Sequence, residues 1–79
     1  MDTHTADRLI QQMEEFGDRL RRARKMRGWS QSRLAREADM HPGEVSHFER
    51  GRRRPSLDNL ARLCAALDVT ADFLVGRSE

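Results

Sequence analysis

The apolar side chains in the first third of the chain recur at the spacing of one face of an α-helix. Successive members of this stripe are four, three, four and three residues apart, and they are Leu9, Met13, Phe16, Leu20 and Ala23. The spacing predicts a helix from about residue 6 to residue 27, ended by Gly28. Gly17 lies inside this helix and weakens it by about 1 kcal/mol relative to alanine, so we expect a bend or a break there.

Two shorter helices are predicted next, with a three-residue turn at residues 39–41 between them. Ser30 is a favourable N-cap for the second helix, which ends near Ala38. Pro42 suits the first position of the third helix, which ends at Gly51. The residues expected to face inward from these two helices are Leu34, Ala35, Ala38, Val45 and Phe48.

A fourth and a fifth helix complete the pattern, with Ser56 and Thr70 as N-caps and Gly76 as the final stop. The apolar face of the fourth helix consists of Leu57, Leu60, Leu63, Cys64 and Leu67. The aromatic residues expected in the core are Phe16, Trp29, Phe48 and Phe73. Because β-branched residues are sparse and no stretch alternates apolar and polar positions for long, we predict an all-α, compact bundle of five helices.

Length and composition exclude several classes of protein. A chain of 79 residues is one small domain, and its single cysteine excludes both an internal disulfide framework and a four-cysteine zinc site. No apolar run reaches membrane-spanning length and the first residues do not form a signal peptide, so we expect a soluble, cytoplasmic protein with no membrane partner. The three histidines lack metal-ligand spacing, and no glycine-rich phosphate loop or nucleophile–base motif is present. We therefore expect no metal, no cofactor and no enzyme activity.

The charge is distributed unevenly along the chain. The formal net charge is +2, but residues 1–18 carry −4, residues 19–54 carry +8 and residues 55–79 carry −2. A basic middle between acidic ends favours a polyanionic partner. Fourteen of the fifteen basic residues are arginines, which suit phosphate and guanine edges but also result from the codon preference of a GC-rich genome. From composition alone, both explanations stay open.

The second and third predicted helices are short, are joined by a tight turn and are followed by a basic loop. Together they form a helix-turn-helix arrangement. The ordered residues are Phe16-Gly17-Asp18-Arg19-Leu20, Arg24, Trp29-Ser30-Gln31, Leu34-Ala35, Val45-Ser46, Glu49-Arg50-Gly51 and Pro55-Ser56. This set resembles the lambda-repressor-like, Cro-type (XRE) helix-turn-helix family. The resemblance implies a helix-turn-helix DNA-binding domain over residues 16–76, preceded by an N-terminal helical extension over residues 1–15 and followed by a tail over residues 77–79.

The resemblance also implies that the third helix reads bases in the major groove. The matching base-reading positions are Pro42, Gly43, Glu44, Ser46 and His47. Pro42 and Gly43 depart from the family pattern because they offer no side-chain donor, so we expect His47 to be the main reader. Two alternatives stay open: Glu44 stabilises the helix N-terminus, and His47 is merely solvated.

Further roles follow from the same resemblance. The residues implied as phosphate contacts are Gln31, Ser32, Arg33, Arg50, Arg52, Arg53 and Arg54. Arg24 and Glu49 are implied as a structural ion pair that ties the first helix to the third. Simple solubility is the alternative explanation for the arginine run.

The family usually binds DNA as a dimer, and two segments are candidates for the dimer contact. We favour the C-terminal helix, with Phe73, Leu74 and Val75, over the N-terminal residues Leu9, Ile10 and Met13. The predicted function is a sequence-specific transcriptional regulator, a stand-alone repressor or controller that binds a palindromic operator in double-stranded DNA as a homodimer. The alternative is an antitoxin-type DNA-binding protein that also holds a protein partner.

Overall fold

A computed structural model describes residues 3–76 and contains five α-helices in that range. They are α1 (Thr3–Met26), α2 (Gln31–Glu37), α3 (Pro42–Glu49), α4 (Leu57–Leu67) and α5 (Ala71–Val75). No β-strand occurs between residues 3 and 76, so the predicted all-α bundle of five helices is confirmed. The predicted tail over residues 77–79 lies outside the described residues.

Helix α1 is continuous over 24 residues, so the predicted bend at Gly17 is wrong. The reason for a glycine at this position lies in the packing between helices. A Cβ at position 17 would lie 2.5 Å from the carbonyl oxygen of Glu49 and 2.6 Å from that of Phe48. The missing side chain therefore lets the backbone of α1 approach the C-terminal end of α3. The helix also passes without a break through the predicted domain boundary between residues 15 and 16.

Side-chain hydroxyl groups cap three of the helices at their N-termini. Ser30 Oγ accepts a hydrogen bond from the backbone N–H of Arg33 at 3.0 Å at the start of α2. Ser56 and Thr70 cap α4 and α5 in the same way, each at 3.1 Å and each to the N–H three residues ahead. These contacts satisfy donors that have no partner within the helix, and they confirm the predicted starts of α2, α4 and α5.

The core is formed by buried side chains from all five helices. Its fully buried large side chains are Leu20, Leu34, Val45, Phe48, Leu63, Leu67 and Leu74. Phe16 is buried as well, and Trp29 packs against this core while remaining partly exposed. Most of the apolar stripes predicted from the sequence are therefore the helix faces that pack into the core.

Two predicted core residues instead face outward. Leu57 is 86% exposed because it opens α4 ahead of the turns that reach the core, and Phe73 is 45% exposed. Leu74, the next residue on α5, is fully buried, and consecutive positions on a helix lie about 100° apart. The prediction of Leu74 as a dimer contact is wrong for the same reason, because its side chain is not available at the surface.

Within residues 3–76, no helix combines the length and the apolar character needed to cross a membrane.

Candidate nucleic-acid interface

Helices α2 and α3 pack against each other through their apolar faces. Leu34 and Ala35 of α2 and Val45 and Phe48 of α3 are buried. The chain reverses between the helices at Asp39, which adopts a positive φ of 56°, and the backbone N–H of Met40 closes the turn on the carbonyl of the residue at position 35. With one face of α3 buried, its opposite face is presented to solvent.

The exposed face of α3 carries three of the five predicted base-reading residues. Pro42, Gly43 and His47 are exposed, whereas Glu44 and Ser46 are half-buried. A Cβ added at Gly43 would meet nothing within 4 Å, so the backbone there is open to close approach. His47 is the one exposed side chain of the three with a hydrogen-bonding group.

Glu44 serves the backbone at the start of α3. Its Oε1 accepts a hydrogen bond from the N–H of His41 at 3.1 Å, one of the donors that the helix leaves without a partner. This contact favours the alternative interpretation of Glu44, that it stabilises the helix N-terminus. The hydrogen bond uses the Oε1 atom of Glu44, and Oε2 takes no part in it.

Arg24 of α1 and Glu49 of α3 form a buried ion pair, as the resemblance implied. Arg24 Nε donates to Glu49 Oε2 at 2.7 Å, and Arg24 Nη2 donates to Glu49 Oε1 at 3.0 Å. Only 10% of the Arg24 side chain and 2% of the Glu49 side chain are exposed. The hydrogen bond to Glu49 raises the pKa of Arg24 above its ordinary value, against the opposing effect of burial. The remaining nitrogen of the Arg24 guanidinium, Nη1, donates a hydrogen bond to the backbone carbonyl of Trp29 at 2.8 Å.

Gln31 joins this ion pair, which the sequence did not indicate. Its Nε2 donates to Glu49 Oε1 at 3.0 Å, so the Glu49 carboxylate accepts from both α1 and the first residue of α2. The predicted phosphate contact through Gln31 would therefore involve a side chain whose amide nitrogen is already held. The remaining groups at this position are the Gln31 carbonyl oxygen and the backbone N–H groups that open α2. Glu49 thus fixes α1, α2 and α3 relative to one another.

Arg33 is also engaged within the protein. Its Nε donates to Glu37 Oε2 at 3.0 Å, in an exposed pair one turn apart. Its guanidinium carbon lies 4.9 Å from the centroid of the Trp29 ring, and that of Arg27 lies 5.2 Å from the same centroid. Cation–π contacts of this kind contribute about 0.5–1 kcal/mol at exposed sites, so Arg33 could be drawn to a phosphate at small cost.

The loop that follows α3 carries an arginine cluster: Arg50, Arg52, Arg53 and Arg54, all exposed. Gly51 makes the turn with a φ of +72°. Within residues 4–76, none of the four arginine side chains takes part in an ion pair or a side-chain hydrogen bond. Ser32, on the first turn of α2, is exposed as well. The guanidinium groups of the arginine cluster are therefore available to an anionic partner.

Metal binding has no support in the described part of the chain, where no three His, Cys, Asp or Glu residues cluster. Burial raises the pKa of the Cys64 thiol, which favours the neutral form over the reactive thiolate. Cys64 packs against the core as a small apolar residue.

Comparison with known proteins finds a family match over most of this fold. The profile of the helix-turn-helix family HTH_3 matches residues 20–74. The transcriptional regulator ImmR of Bacillus subtilis (strain 168) is 33% identical over 64 residues, which are 81% of this chain and 50% of ImmR. The control protein C.BamHI of Bacillus amyloliquefaciens is 42% identical over 55 residues, which are 68% of each chain. This chain therefore spans between half and two thirds of the length of these curated relatives.

Two solved structures are similar as well. The restriction-modification controller protein C.AhdI from Aeromonas hydrophila aligns with a TM-score of 0.76 and 39% identity, over 78% of this chain and 94% of that one. The clp gene regulator ClgR from C. glutamicum aligns with a TM-score of 0.73 and 33% identity, over 80% of this chain and 82% of that one. The helix-turn-helix geometry, the family match and these similarities agree, and the chain belongs to the XRE-type helix-turn-helix family of DNA-binding transcriptional regulators.

Proposed function

We propose that this protein is a sequence-specific regulator of transcription that binds a palindromic operator in double-stranded DNA as a homodimer. The observation that carries the proposal is that the exposed face of α3 lies next to the arginine cluster. The buried Arg24–Glu49 pair fixes α3, and the loop that begins at its end, against α1. A rigid helix beside unpaired guanidinium groups suits a duplex, because the helix enters the groove and the arginines bind the flanking phosphates.

In this proposal α3 lies in the major groove, which is about 12 Å wide and admits a helix. His47 donates to the N7 or O6 of a guanine, and Pro42 makes apolar contact with a thymine methyl group. Gly43 brings the backbone close to the base edges. Ser46 and the free oxygen of Glu44 are secondary readers, since both side chains are half-buried.

The phosphate contacts position the protein on the duplex. Arg50, Arg52, Arg53 and Arg54 bind one stretch of backbone, while the start of α2, with Gln31, Ser32 and Arg33, binds another. At Gln31 the contact comes from the backbone N–H groups of the helix N-terminus, because Glu49 holds the side-chain nitrogen. Charge-assisted contacts of this kind carry affinity and salt dependence but no sequence information.

A second copy of the chain completes the operator-binding unit. Leu57, Phe73 and Val75 are large apolar side chains left exposed near the junction of α4 and α5. Leu57 and Val75 also line one apolar groove with Leu9 and Met13 of α1. Covering this surface in a two-fold dimer would place two α3 helices on half-sites about 34 Å apart, one turn of the duplex.

The similarity to the controller protein C.AhdI, which matches over 94% of that chain, supports a regulator of the controller type. Such a regulator would respond to its own concentration, because dimerisation precedes operator binding.

Selection of bound duplexes from a random pool tests the proposal. We expect recovery of a palindromic sequence whose half-sites are centred about one helical turn, or 10 base pairs, apart. Recovery of a single unpaired half-site would contradict the homodimer, and retention of duplexes with no shared sequence would contradict a sequence-specific regulator.

A further inference from the structure

The C-terminal half of α1 carries a concentration of positive charge. Six of the nine residues from 19 to 27 are basic and none is acidic. Three of the six point into the protein: Arg24 pairs with Glu49, Arg27 Nε donates to the carbonyl of Leu67 at 3.0 Å, and Arg19 packs its guanidinium against Gly76, where its Nη1 is buried without a hydrogen-bond partner in the described part of the chain. The remaining three, Arg21, Arg22 and Lys25, are exposed.

Arg21 lies next to the side of α1 that packs against α3, and Lys25 lies one turn farther along the helix. Gly17 marks that side, because a Cβ added there would lie 2.5 Å from the carbonyl oxygen of Glu49 and 2.6 Å from that of Phe48. Arg21 follows Gly17 by four residues, and Lys25 follows Arg21 by four. Residues four apart on a helix are surface neighbours, each rotated about 40° from the one before. Arg21 is therefore about 40° and Lys25 about 80° round the helix from Gly17, and the two form an exposed strip on the flank of α1 that begins beside the end of α3.

The same strip borders the place where α1, α2 and α3 converge. Arg21 precedes Arg24 by three residues and is its neighbour on the helix surface, and Lys25 continues the strip one turn beyond Arg21. Arg24 contacts Glu49 at the end of α3, and Glu49 contacts Gln31 at the start of α2. The strip therefore lies beside the two elements proposed to bind phosphate, the helix α2 N-terminus and the arginine cluster after α3.

Little inside the protein neutralises this strip. Arg21 pairs with Asp18 at 3.5 Å, with more than half of both side chains exposed, and such surface pairs contribute about 1 kcal/mol at most. Lys25 makes no ion pair within residues 4–76. Together with Asp18, Arg22 and Met26, these side chains line a shallow depression on the surface of α1, in which three basic residues face one carboxylate.

We propose that Arg21 and Lys25 are additional phosphate-binding residues, which extend the DNA-contact surface from the helix-turn-helix onto the flank of α1. The inference rests on the proposed function, since it assigns these residues to the same duplex. Both act on the phosphate backbone: Arg21 exchanges Asp18 for a phosphate oxygen, and Lys25 acts as an unpaired point charge. Neither reads bases.

The test measures how the affinity for a mixed-sequence DNA duplex depends on salt. Binding of the full chain is titrated between about 50 and 200 mM salt, a range over which each phosphate contact changes the slope of log affinity against log salt by about 0.9. We expect R21A and K25A each to lower the slope by about 0.9, the double variant to lower it by about twice that, and R21K to retain it. Because both side chains are exposed, the variants should keep the wild-type circular dichroism spectrum.

The matched control is R8A. Arg8 is an exposed arginine on the same helix, on a different face and about 20 Å along the axis from Arg21, and its loss should leave the slope unchanged. The inference is overturned if R21A and K25A keep the wild-type slope while the wild-type chain binds DNA, or if R8A lowers the slope as much as they do. Absence of any salt-dependent binding by the wild-type chain would overturn the proposed function itself, and this inference with it.

Discussion

At the scale of single residues, the Glu49 carboxylate is the contact on which the interface depends most. It accepts hydrogen bonds from Arg24 and Gln31, which come from two other helices. A carboxylate beside a DNA-contact loop would ordinarily repel phosphates. Here the buried ion pair with Arg24 compensates its charge and makes it a structural link that sets the position of α3.

Replacing Glu49 by alanine should therefore destabilise the fold strongly. Removing one partner of a buried pair leaves the other charge uncompensated, so we expect a loss of about 3–5 kcal/mol in the free energy of unfolding. Urea denaturation followed by circular dichroism measures it. Gln31→Ala is the matched control, because it removes one hydrogen bond to the same carboxylate and should cost about 1.5 kcal/mol. A Glu49→Ala variant as stable as Gln31→Ala would contradict the structural role of the pair.

At the same scale, His47 is the residue proposed to read the operator sequence. It is the exposed hydrogen-bonding side chain on the face of α3 that Pro42 and Gly43 leave without donors. We expect His47→Ala to reduce the preference for the selected operator over a scrambled duplex by about 1–3 kcal/mol, measured as the ratio of two dissociation constants. Arg53→Ala, as control, should weaken both duplexes alike. An unchanged ratio in His47→Ala would assign base reading to other residues.

At the scale of elements, the position of α1 against α3 depends on the absence of a side chain at Gly17. The atoms that a Cβ would meet there are backbone carbonyl groups, which cannot move aside as a flexible side chain would. Helix continuity and helix packing thus impose opposite demands on this residue. Packing prevails, because the contact places Arg24 within reach of Glu49.

Gly17→Ala should be destabilising although alanine favours helices. The gain of about 1 kcal/mol in helix propensity is outweighed by the overpacking at the two carbonyl groups, for a net loss of about 1–2 kcal/mol. Gly43→Ala offers the opposite case within α3, since a Cβ there meets nothing within 4 Å, and it should be neutral or stabilising by up to about 1 kcal/mol. Thermal unfolding of the two variants separates them, and a stabilised Gly17→Ala would show that α1 can shift without cost.

At the scale of the whole molecule, three arginines of the cluster lie outside the apolar groove between α1 and the α4–α5 region, and the fourth, Arg54, lines that groove beside Leu57. The arginine cluster follows α3, whereas the exposed apolar residues Leu57, Phe73 and Val75 belong to α4 and α5. This separation allows one surface to bind a polyanion while another is covered by a second copy.

If the proposed homodimer forms through this surface, Leu57→Glu should convert it into a monomer, because the substitution places a charge in the centre of the apolar contact. Sedimentation velocity over a range of concentrations measures the change, and operator affinity should fall in parallel. Met26→Glu is the control. Met26 is 78% exposed and ends α1, whereas the apolar groove is lined by the N-terminal half of that helix, so this substitution should leave association unchanged. A Leu57→Glu variant that still dimerises would move the contact to another surface.

Local signals in the sequence were sufficient for the helices, their caps and the family. Ser30, Ser56 and Thr70 act on the N–H groups three residues ahead, and the apolar stripes mark which face each helix buries. These features depend on neighbours in the chain, and so they can be read without knowing the packing. The Arg24–Glu49 pair was expected only through the family resemblance, because 25 residues separate its partners.

Other features depend on which helices approach each other, and only the tertiary structure decided them. The close contact at Gly17 requires α3 to be in place, and the bond from Gln31 to Glu49 requires α2 and α3 to meet at one carboxylate. Leu74 rather than Phe73 is buried, and this depends on how α5 is rotated against α1. A helix of five residues does not specify that rotation by its own pattern. The sequence by itself determined a five-helix DNA-binding fold with a basic centre, and the packing of its helices determined which residues remain free to bind.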